Sequence, residues 1–545
     1  MSKVSTPQSW ICDGTPKNGQ HYPNCSGPHP PQENHTPDCM ICGLPREAMT
    51  GKKSPRGTKT VLSGGRGSNL PGLVAIALLL LLLGASAWYL FGRTRDPEIV
   101  ESTSETVALS PGAANPLANV SQTAVNAELI SQGEKILFNP GINFAQKAAG
   151  ATAFSQDNWT EAVAQYQQAV QTDPNDPEAK IYFHNARAKQ AGNPLTIAVV
   201  VPISASENSA KEVLRGVALQ QERYNNAPQL PGRLLEVVIV NESEPGKAPS
   251  IAEDLIQSPN VLGVMGHGVD AASREAIARY ERAQLAVLSP ISTSISSTVP
   301  GESILQTISL AQKANELFAN YLEGVGKTLA TYAEQTVSSP AVVVFYNSDS
   351  PYSQQLKDAF KAALVQTPGQ VVKEVDITQG GFNPATEVSD ASQVGANVGV
   401  LALSKNKVQT AVAIAQANAN AGTPLTLLGG DELYNPNILK DGDAAINGLV
   451  LAVPWRWQEG DAFASQATNI WQGRVSWRTA TAYDTTQALA NAITQQPTRA
   501  ETSQLLQNGI AIAGTATDFS LFDRIPLVQA VPGTSAGFRY QFEPI

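Results

Sequence analysis

The stretch LTIAVVVPISASENSAKEVLRGVALQQERYNN, residues 195–226, decides the fold. Its opening run LTIAVVV (195–201) is apolar or β-branched almost throughout, which predicts a strand covered on both faces, as in a parallel sheet. After Pro202 the period changes, and Val213, Leu214, Val217 and Tyr224 fall on one helical face. A buried strand followed by an amphipathic helix is half of a βαβ unit. The rhythm recurs in LLEVVIV (234–240), VLGVMG (261–266), LAVLS (285–289), AVVVFY (341–346), VVKEVDI (371–377), VGVLAL (398–403), LTLLGG (425–430) and GLVLAV (448–453). The expected architecture is α/β with parallel sheets flanked by helices. Residues 194–545 exceed what one hydrophobic core usually holds, which predicts two lobes. The first is expected at about 194–313 and 448–510, the second at about 314–447 and 511–545.

Upstream, helical periodicity covers NFAQKAAGATAF (143–154), NWTEAVAQYQQAVQTD (158–173) and PEAKIYFHNARAKQ (177–190). Residues 141–192 resemble a single tetratricopeptide repeat, with Gly150 in the first helix, Ala162, Tyr166 and Ala169 in the second, and Pro174 after it. One repeat is too few for a peptide-binding superhelix, so a packed helical spacer and a docking surface both remain open. Residues 96–140 are rich in Ser, Thr, Ala and Pro and read as a flexible linker.

The run from Gly67 to Gly92 carries no charge, and within it Leu70–Phe91 is long enough to span a hydrocarbon slab as a helix. Leu73 to Leu83 is unbroken in apolar residues, without the polar stripe of a surface helix. A cleaved signal peptide would begin far too late in the chain. The N-terminal flank, a basic tether over 46–69, carries Arg46, Lys52, Lys53, Arg56, Lys59 and Arg66. The other flank has Arg93 and Arg95 and then turns acidic. The positive-inside rule puts the N-terminus in the cytosol and exports the C-terminal bulk across a bacterial inner membrane. Residues 1–95 carry a net charge of +6, leaving −16 for the remainder of a chain whose net is −10. An acidic exported body argues against nucleic-acid partners.

All four cysteines, Cys12, Cys25, Cys39 and Cys42, precede the apolar run. On the reducing side of the membrane, four thiols suit metal ligation better than disulfides. Cys39-Met-Ile-Cys42-Gly looks like a zinc-ribbon knuckle, and zinc could fold residues 1–45, which lack a core. Cys12 and Cys25 do not form a matching pair, and His21, His29 or His35 could replace a thiol. Unliganded thiols remain the alternative. No cofactor is expected in the α/β body.

Catalytic patterns do not emerge. G-x-S-x-G and H-E-x-x-H are missing, and His267 is the one histidine of the α/β region, so no enzymatic role is expected. Gly326-Lys327-Thr328 ends like a P-loop, but Tyr321 stands at the first required glycine, and the run reads as a helix-end turn. Gly266-His267-Gly268 lies between a strand and a helix expected near Asp270, where glycines allow a ligand close to a helix N-terminus. It reads as a small-ligand loop.

These residues together resemble the type I periplasmic solute-binding proteins, particularly the leucine/isoleucine/valine-binding group, over about 195–545. The landmarks are Val201-Pro202, Gly216, Val264-Met-Gly266-His267, Leu288-Ser289-Pro290-Ile-Ser-Thr293, Tyr346-Asn-Ser-Asp-Ser-Pro-Tyr352, Leu428-Gly-Gly-Asp-Glu432, Ala482-Tyr483-Asp484 and Thr515-Ala-Thr-Asp-Phe519. The resemblance implies two lobes on a three-strand hinge that close over a small polar ligand, and delivery to ABC permease subunits. It implies a ligand carboxylate held by the loops that here supply Asp270, Ile291, Ser292 and Thr293. Glu432 would hold an ammonium group, with Tyr352 closing on the ligand. A serine is usual where Asp270 stands, and an aspartate would repel a carboxylate. Polyamine-like, peptide or urea-like ligands therefore stay open beside amino acids. The alternative is a non-transport interaction or regulatory protein of the cell envelope, with a degenerate cleft. Helical repeats joined to this fold also occur in lipoprotein activators of cell-wall synthases.

Overall fold

A computed structural model describes residues 10–13, 15–17, 32–34, 49, 118–242, 244, 246–267, 271–289, 295–299, 302–305, 311–513, 515, 525–533 and 538–545. The chain divides into two units, Met1–Val107 and Ala108–Ile545. In the first, β1 (Trp10–Cys12) pairs antiparallel with β2 (Gln32–Asn34), and Cys12 is buried. Cys25, Cys39 and Cys42, the tether 46–69 apart from Met49, and the apolar run 70–91 lie outside the described residues. Among the described residues no helix is long and apolar enough to cross a membrane, and no group of three His, Cys, Asp or Glu could hold a metal ion.

The second unit opens with β3 (Ile130–Ser131) and three helices, α1 (Phe144–Ser155), α2 (Trp159–Thr172) and α3 (Pro177–Ala191). Local chemistry starts and joins them. Asn158 and Asp176 accept backbone N–H groups at the starts of α2 and α3, and Pro177 takes the first-turn position where its missing donor is harmless. A Cβ at Gly150 would sit 2.9 Å from the Tyr166 ring, so only glycine lets α1 and α2 come this close.

The α/β body follows with β4 (Leu195–Val201), α4 (Glu207–Asn226), β5 (Leu235–Asn241), α5 (Ala248–Gln257), β6 (Val261–Met265), α6 (Ala271–Arg282) and β7 (Ala286–Leu288). These strands form the first sheet in the order β3-β5-β4-β6-β7, parallel except for β3. Every residue of β4 and β5 is buried, as continuous apolar runs require. Two further strands, β8 (Ile295–Val299) and β9 (Glu302–Leu305), lead to α7 (Ala311–Thr336).

The second lobe comprises β10 (Ala341–Tyr346), α8 (Pro351–Leu364), β11 (Gln370–Asp376), α9 (Pro384–Gln393), β12 (Val398–Ala402), α10 (Val408–Ala419), β13 (Thr426–Gly429), α11 (Pro436–Gly442) and β14 (Val450–Ala452). The chain then returns to the first lobe through α12 (Ala462–Trp471), α13 (Trp477–Gln495) and α14 (Arg499–Asn508). It ends in β15 (Ile510–Ile512), β16 (Leu527–Pro532) and β17 (Tyr540–Pro544). The second sheet runs β11-β10-β12-β13-β14-β16-β17, with β16 and β17 antiparallel; β15, β9 and β8 make a separate three-stranded sheet. At Gly216 of α4 any Cβ would run into the carbonyl oxygen of Thr479 and the backbone nitrogen of Tyr483, so the glycine brings α4 and α13 backbone to backbone.

All nine apolar runs read from the sequence are strands. Three expectations need correction. GLVLAV, assigned to the first lobe, is a strand of the second sheet, paired with β13 and β16. Gly326 is not at a helix end but inside α7, where a Cβ would lie 2.6 Å from the backbone of Ala359 and Phe360. Residues 118–140 are not a flexible linker. Val120, Ile130 and Phe138 are buried, β3 pairs with β5, and Asp254 accepts the backbone N–H groups of Val125 and Asn126 at 2.7 and 2.9 Å.

The helical layer is likewise built into the first lobe. Lys189 Nζ of α3 lies 2.9 Å from Glu236 Oε1 of β5, both ends fully buried, while Thr196 Oγ1 donates to Glu236 Oε2 at 2.9 Å. Asn185 donates to the carbonyls of Gln132 and Val237 and accepts the N–H of Val237. In a second buried cluster Lys147 meets Glu178 at 2.5 Å and Asp176 at 2.9 Å. The two acids hold the Lys147 ammonium above its ordinary range, although burial alone would lower it. Removing one side of a buried pair strands the other charge, at about 3–5 kcal/mol. Lys189→Met is therefore expected to lower the stability of residues 118–545 by about that amount in urea unfolding, whereas an unchanged midpoint would show the pair to be dispensable.

Candidate functional site

The carboxyl edge of the second sheet gathers three loops. The loop after β10 starts at Asn347, whose side chain is fully buried and joins the loop after β12. Its Oδ1 accepts the N–H of Ser404 at 3.0 Å, and its Nδ2 donates to Ser404 Oγ at 3.1 Å. Ser353 Oγ accepts the Asn347 N–H at 2.7 Å and donates to the Ala402 carbonyl at 2.6 Å. These bonds fix the start of α8 and thereby Tyr352.

The loop after β13 is shaped by Gly430. A Cβ there would collide with the hydroxyl of Tyr352, so glycine lets the tyrosine reach the backbone of the next residues. Tyr352 donates to Asp431 Oδ1 at 3.0 Å and accepts the Glu432 N–H at 3.5 Å. Glu432 is half-buried, and its Oε2 accepts the backbone N–H of Lys405 at 2.7 Å, tying this loop to the one after β12. Burial pushes the carboxyls of both Asp431 and Glu432 up. Arg478 and the hydroxyls of Tyr321 and Tyr352 oppose the effect at Asp431, and Lys405 opposes it at Glu432. Asp431 is held inside by Tyr352, so of the two acids Glu432 is the one left partly open at the sheet edge.

The structure thus brings Tyr352 and Glu432 together. Asp270, Ile291, Ser292 and Thr293 lie outside the described residues. On the first lobe His267 is buried, with φ of 63°. Its Nδ1 lies 3.1 Å from Glu242 Oε2 and its Nε2 3.0 Å from the Tyr280 hydroxyl. With both ring nitrogens engaged, His267 braces the loop after β6.

Sequence reasoning missed Asp431 as a buried group in its own right. It also missed Trp477 and Arg478 of α13, which donate to the carbonyls of Asp431 and Tyr434 at 3.4 and 3.0 Å. The adjacent Asp431-Glu432 pair was the available signal. Two acids on a loop cannot both face solvent when an adjoining glycine seats a tyrosine ring.

Asp484, a family landmark, lies buried in α13 and accepts the N–H and hydroxyl of Thr515. Burial pushes its carboxyl up to about 7 from 3.8, against those hydrogen bonds. An acid raised on folding stabilises fully below its unfolded pKa and loses that contribution as pH rises through the folded one. Stability should therefore fall as pH rises from 3.8 to about 7, by up to about 1.4 kcal/mol per unit from this group. Asp484→Asn should flatten that slope in urea unfolding followed against pH, and a slope identical to the parent's would assign the pH dependence to other groups.

A family model described as periplasmic binding protein matches residues 194–518. Among solved structures, an ABC transporter substrate-binding protein from Sphaerobacter thermophilus is 16% identical, with a TM-score of 0.51, covering 65% of this chain and 97% of that one. A branched-chain amino acid transporter substrate-binding protein from Streptococcus pneumoniae, in complex with isoleucine, is 16% identical with a TM-score of 0.49, covering 65% and 100%. A Desulfitobacterium hafniense substrate-binding protein in complex with Leu is 19% identical with a TM-score of 0.48, covering 65% and 100%. A search of curated proteins finds no match. At such identities the Sphaerobacter likeness speaks for the fold alone, while the family match spans more than half of the chain. This chain belongs to the periplasmic binding protein family.

Proposed function

We propose that this protein is a membrane-anchored, extracytoplasmic solute receptor, the substrate-binding component of an ABC transporter for an amino acid or related small polar ligand with an ammonium group. Family membership supports solute binding and an extracytoplasmic place. The observation that carries the ligand class is Glu432, half-buried at the carboxyl edge of the second sheet. Lys405 fixes one of its oxygens, and Tyr352 stands beside it. Open α/β sheets bind ligands at this edge, and a carboxylate waiting in a closing cleft is best matched by a cation. Asp270, from the facing lobe by family analogy, disfavours a ligand carboxylate there and widens the class to polyamine-, peptide- and urea-like molecules. Opening and closing of the lobes then follow the ligand's preference for the closed form.

A small-molecule panel against residues 118–545 tests this. Ligand at 100 times its Kd should stabilise the fold by about 2.7 kcal/mol. Glu432→Gln keeps an acceptor for the Lys405 N–H but loses the charge. It should weaken binding of an ammonium ligand by about 2–5 kcal/mol in calorimetry, with folding intact. An unchanged Kd would remove Glu432 from the site. No shift with any amino acid, amide or peptide would favour the envelope interaction protein, a reading supported by the helical layer fused to the first lobe.

The anchor is assigned to residues 70–91, with a cytosolic N-terminus and residues 1–45 as a zinc-ribbon-like segment held by Cys12, Cys25, Cys39 and Cys42. The repeat-like helices 141–192 are read as a packed layer of the receptor. A C-terminal alkaline-phosphatase fusion should be active, and joint Cys39→Ser and Cys42→Ser substitution should abolish bound zinc in the purified protein. An inactive fusion would overturn the topology, and unchanged zinc would overturn the metal assignment.

A further inference from the structure

The segment from Trp471 to Thr479, which joins α12 to α13, makes contacts in two directions. One set points to the helical layer and α4. The Trp471 ring is 2% exposed, with Lys180 Nζ of α3 at 5.8 Å from its centroid and the Arg215 guanidinium of α4 at 5.9 Å. Glu212 Oε2 of α4 accepts the Ser476 N–H at 2.9 Å and the Thr479 hydroxyl at 2.8 Å. The other set points to the second lobe. Arg474 pairs with Glu543 of β17 at 2.7 Å, Trp477 donates to the Asp431 carbonyl at 3.4 Å, and Arg478 donates to the Tyr434 carbonyl at 3.0 Å.

The two sets alternate along a short stretch, so a shift on one side is felt on the other. Trp471 sharpens the point. Its indole N–H is buried without a hydrogen-bond partner among the described residues. Such a donor is unfavourable, so the ring holds its place by packing and by the two cations over it. Lys180 is in turn tethered to Glu222 of α4 at 3.1 Å. The family match begins at residue 194, so α3 and Lys180 lie outside the part shared with the family.

We propose that the helical layer α1–α3 is a regulatory arm of the receptor: seated on the first sheet, it holds the start of α13 through Lys180 and Trp471, where Trp477 and Arg478 grip the loop after β13, and so sets how firmly that loop is held. A change at Lys180 would then alter the loop that carries Glu432 without touching it. An effect on ligand affinity rests on the receptor reading, but the holding of the loop is measurable without ligand, so the two fail separately.

Hydrogen exchange on the full chain in detergent provides the test. The amides of Leu433 and Tyr434 are protected by bonds to the Gly430 and Asp431 carbonyls. Lys180→Met removes the cation and keeps the aliphatic stem, and Arg478→Gln weakens the grip directly. The expected result is exchange of residues 430–435 faster by about fivefold or more in Lys180→Met, within the usual range of allosteric coupling, with β4 and β5 unchanged. Unchanged exchange in Lys180→Met, whether or not Arg478→Gln accelerates it, overturns the proposal. Acceleration spread equally over β4 and β5 also overturns it, because general loosening would then be the cause.

Discussion

The contact between Lys189 and Glu236 is the constraint from which the organisation of the first lobe follows. An acid in the middle of a wholly buried strand cannot be left alone, because an uncompensated carboxylate away from water is far less favourable than any apolar residue there. Glu236 meets this demand with an ammonium from α3 and a hydroxyl from β4. The helix carrying that ammonium must lie flat on the sheet. Its neighbour α2 then packs on it, the Tyr166 ring 5.6 Å from that of Tyr182, α1 closes on α2 at Gly150, and the chain before them runs along the sheet edge as β3. The part of the chain matched by the family is thus not a closed physical unit by itself.

Much of this was legible in the sequence. The nine apolar runs are strands, and all but β11, a mostly half-buried strand at the sheet edge, are largely buried, the comfortable place for such runs. What local pattern could not reveal was partnership. GLVLAV reads equally well as a strand of either lobe, and only pairing with β13 and β16 decides between them. Residues 118–140 look like a spacer by composition, yet a few apolar side chains and one well-placed aspartate, Asp254, dock them. Composition averages over a segment, while docking depends on individual residues.

The candidate site was legible in part for the same reason. Tyr352 and Glu432 are adjacent because both follow strands that end on the same edge. Asp431 escaped notice because its burial is imposed by Tyr352 and α13, which lie far away in sequence. Gly266-His267-Gly268 reads as a small-ligand loop; in place, Glu242 and Tyr280 occupy the two nitrogens of His267.

The antiparallel pair β16 and β17 has a consequence for how the molecule is made. Chains emerge N-terminus first, and domains tend to fold in that order. The helical layer and the first sheet can therefore assemble early, apart from α13 and α14. The second sheet cannot: β14 waits for β16, and β16 for β17, which ends at Pro544. Long-range pairing of this kind is slow, because loop closure must precede the contacts that reward it. The edge of the second sheet is thus completed only once β16 and β17 are in place, and until then β14 offers an unpaired edge to any passing chain.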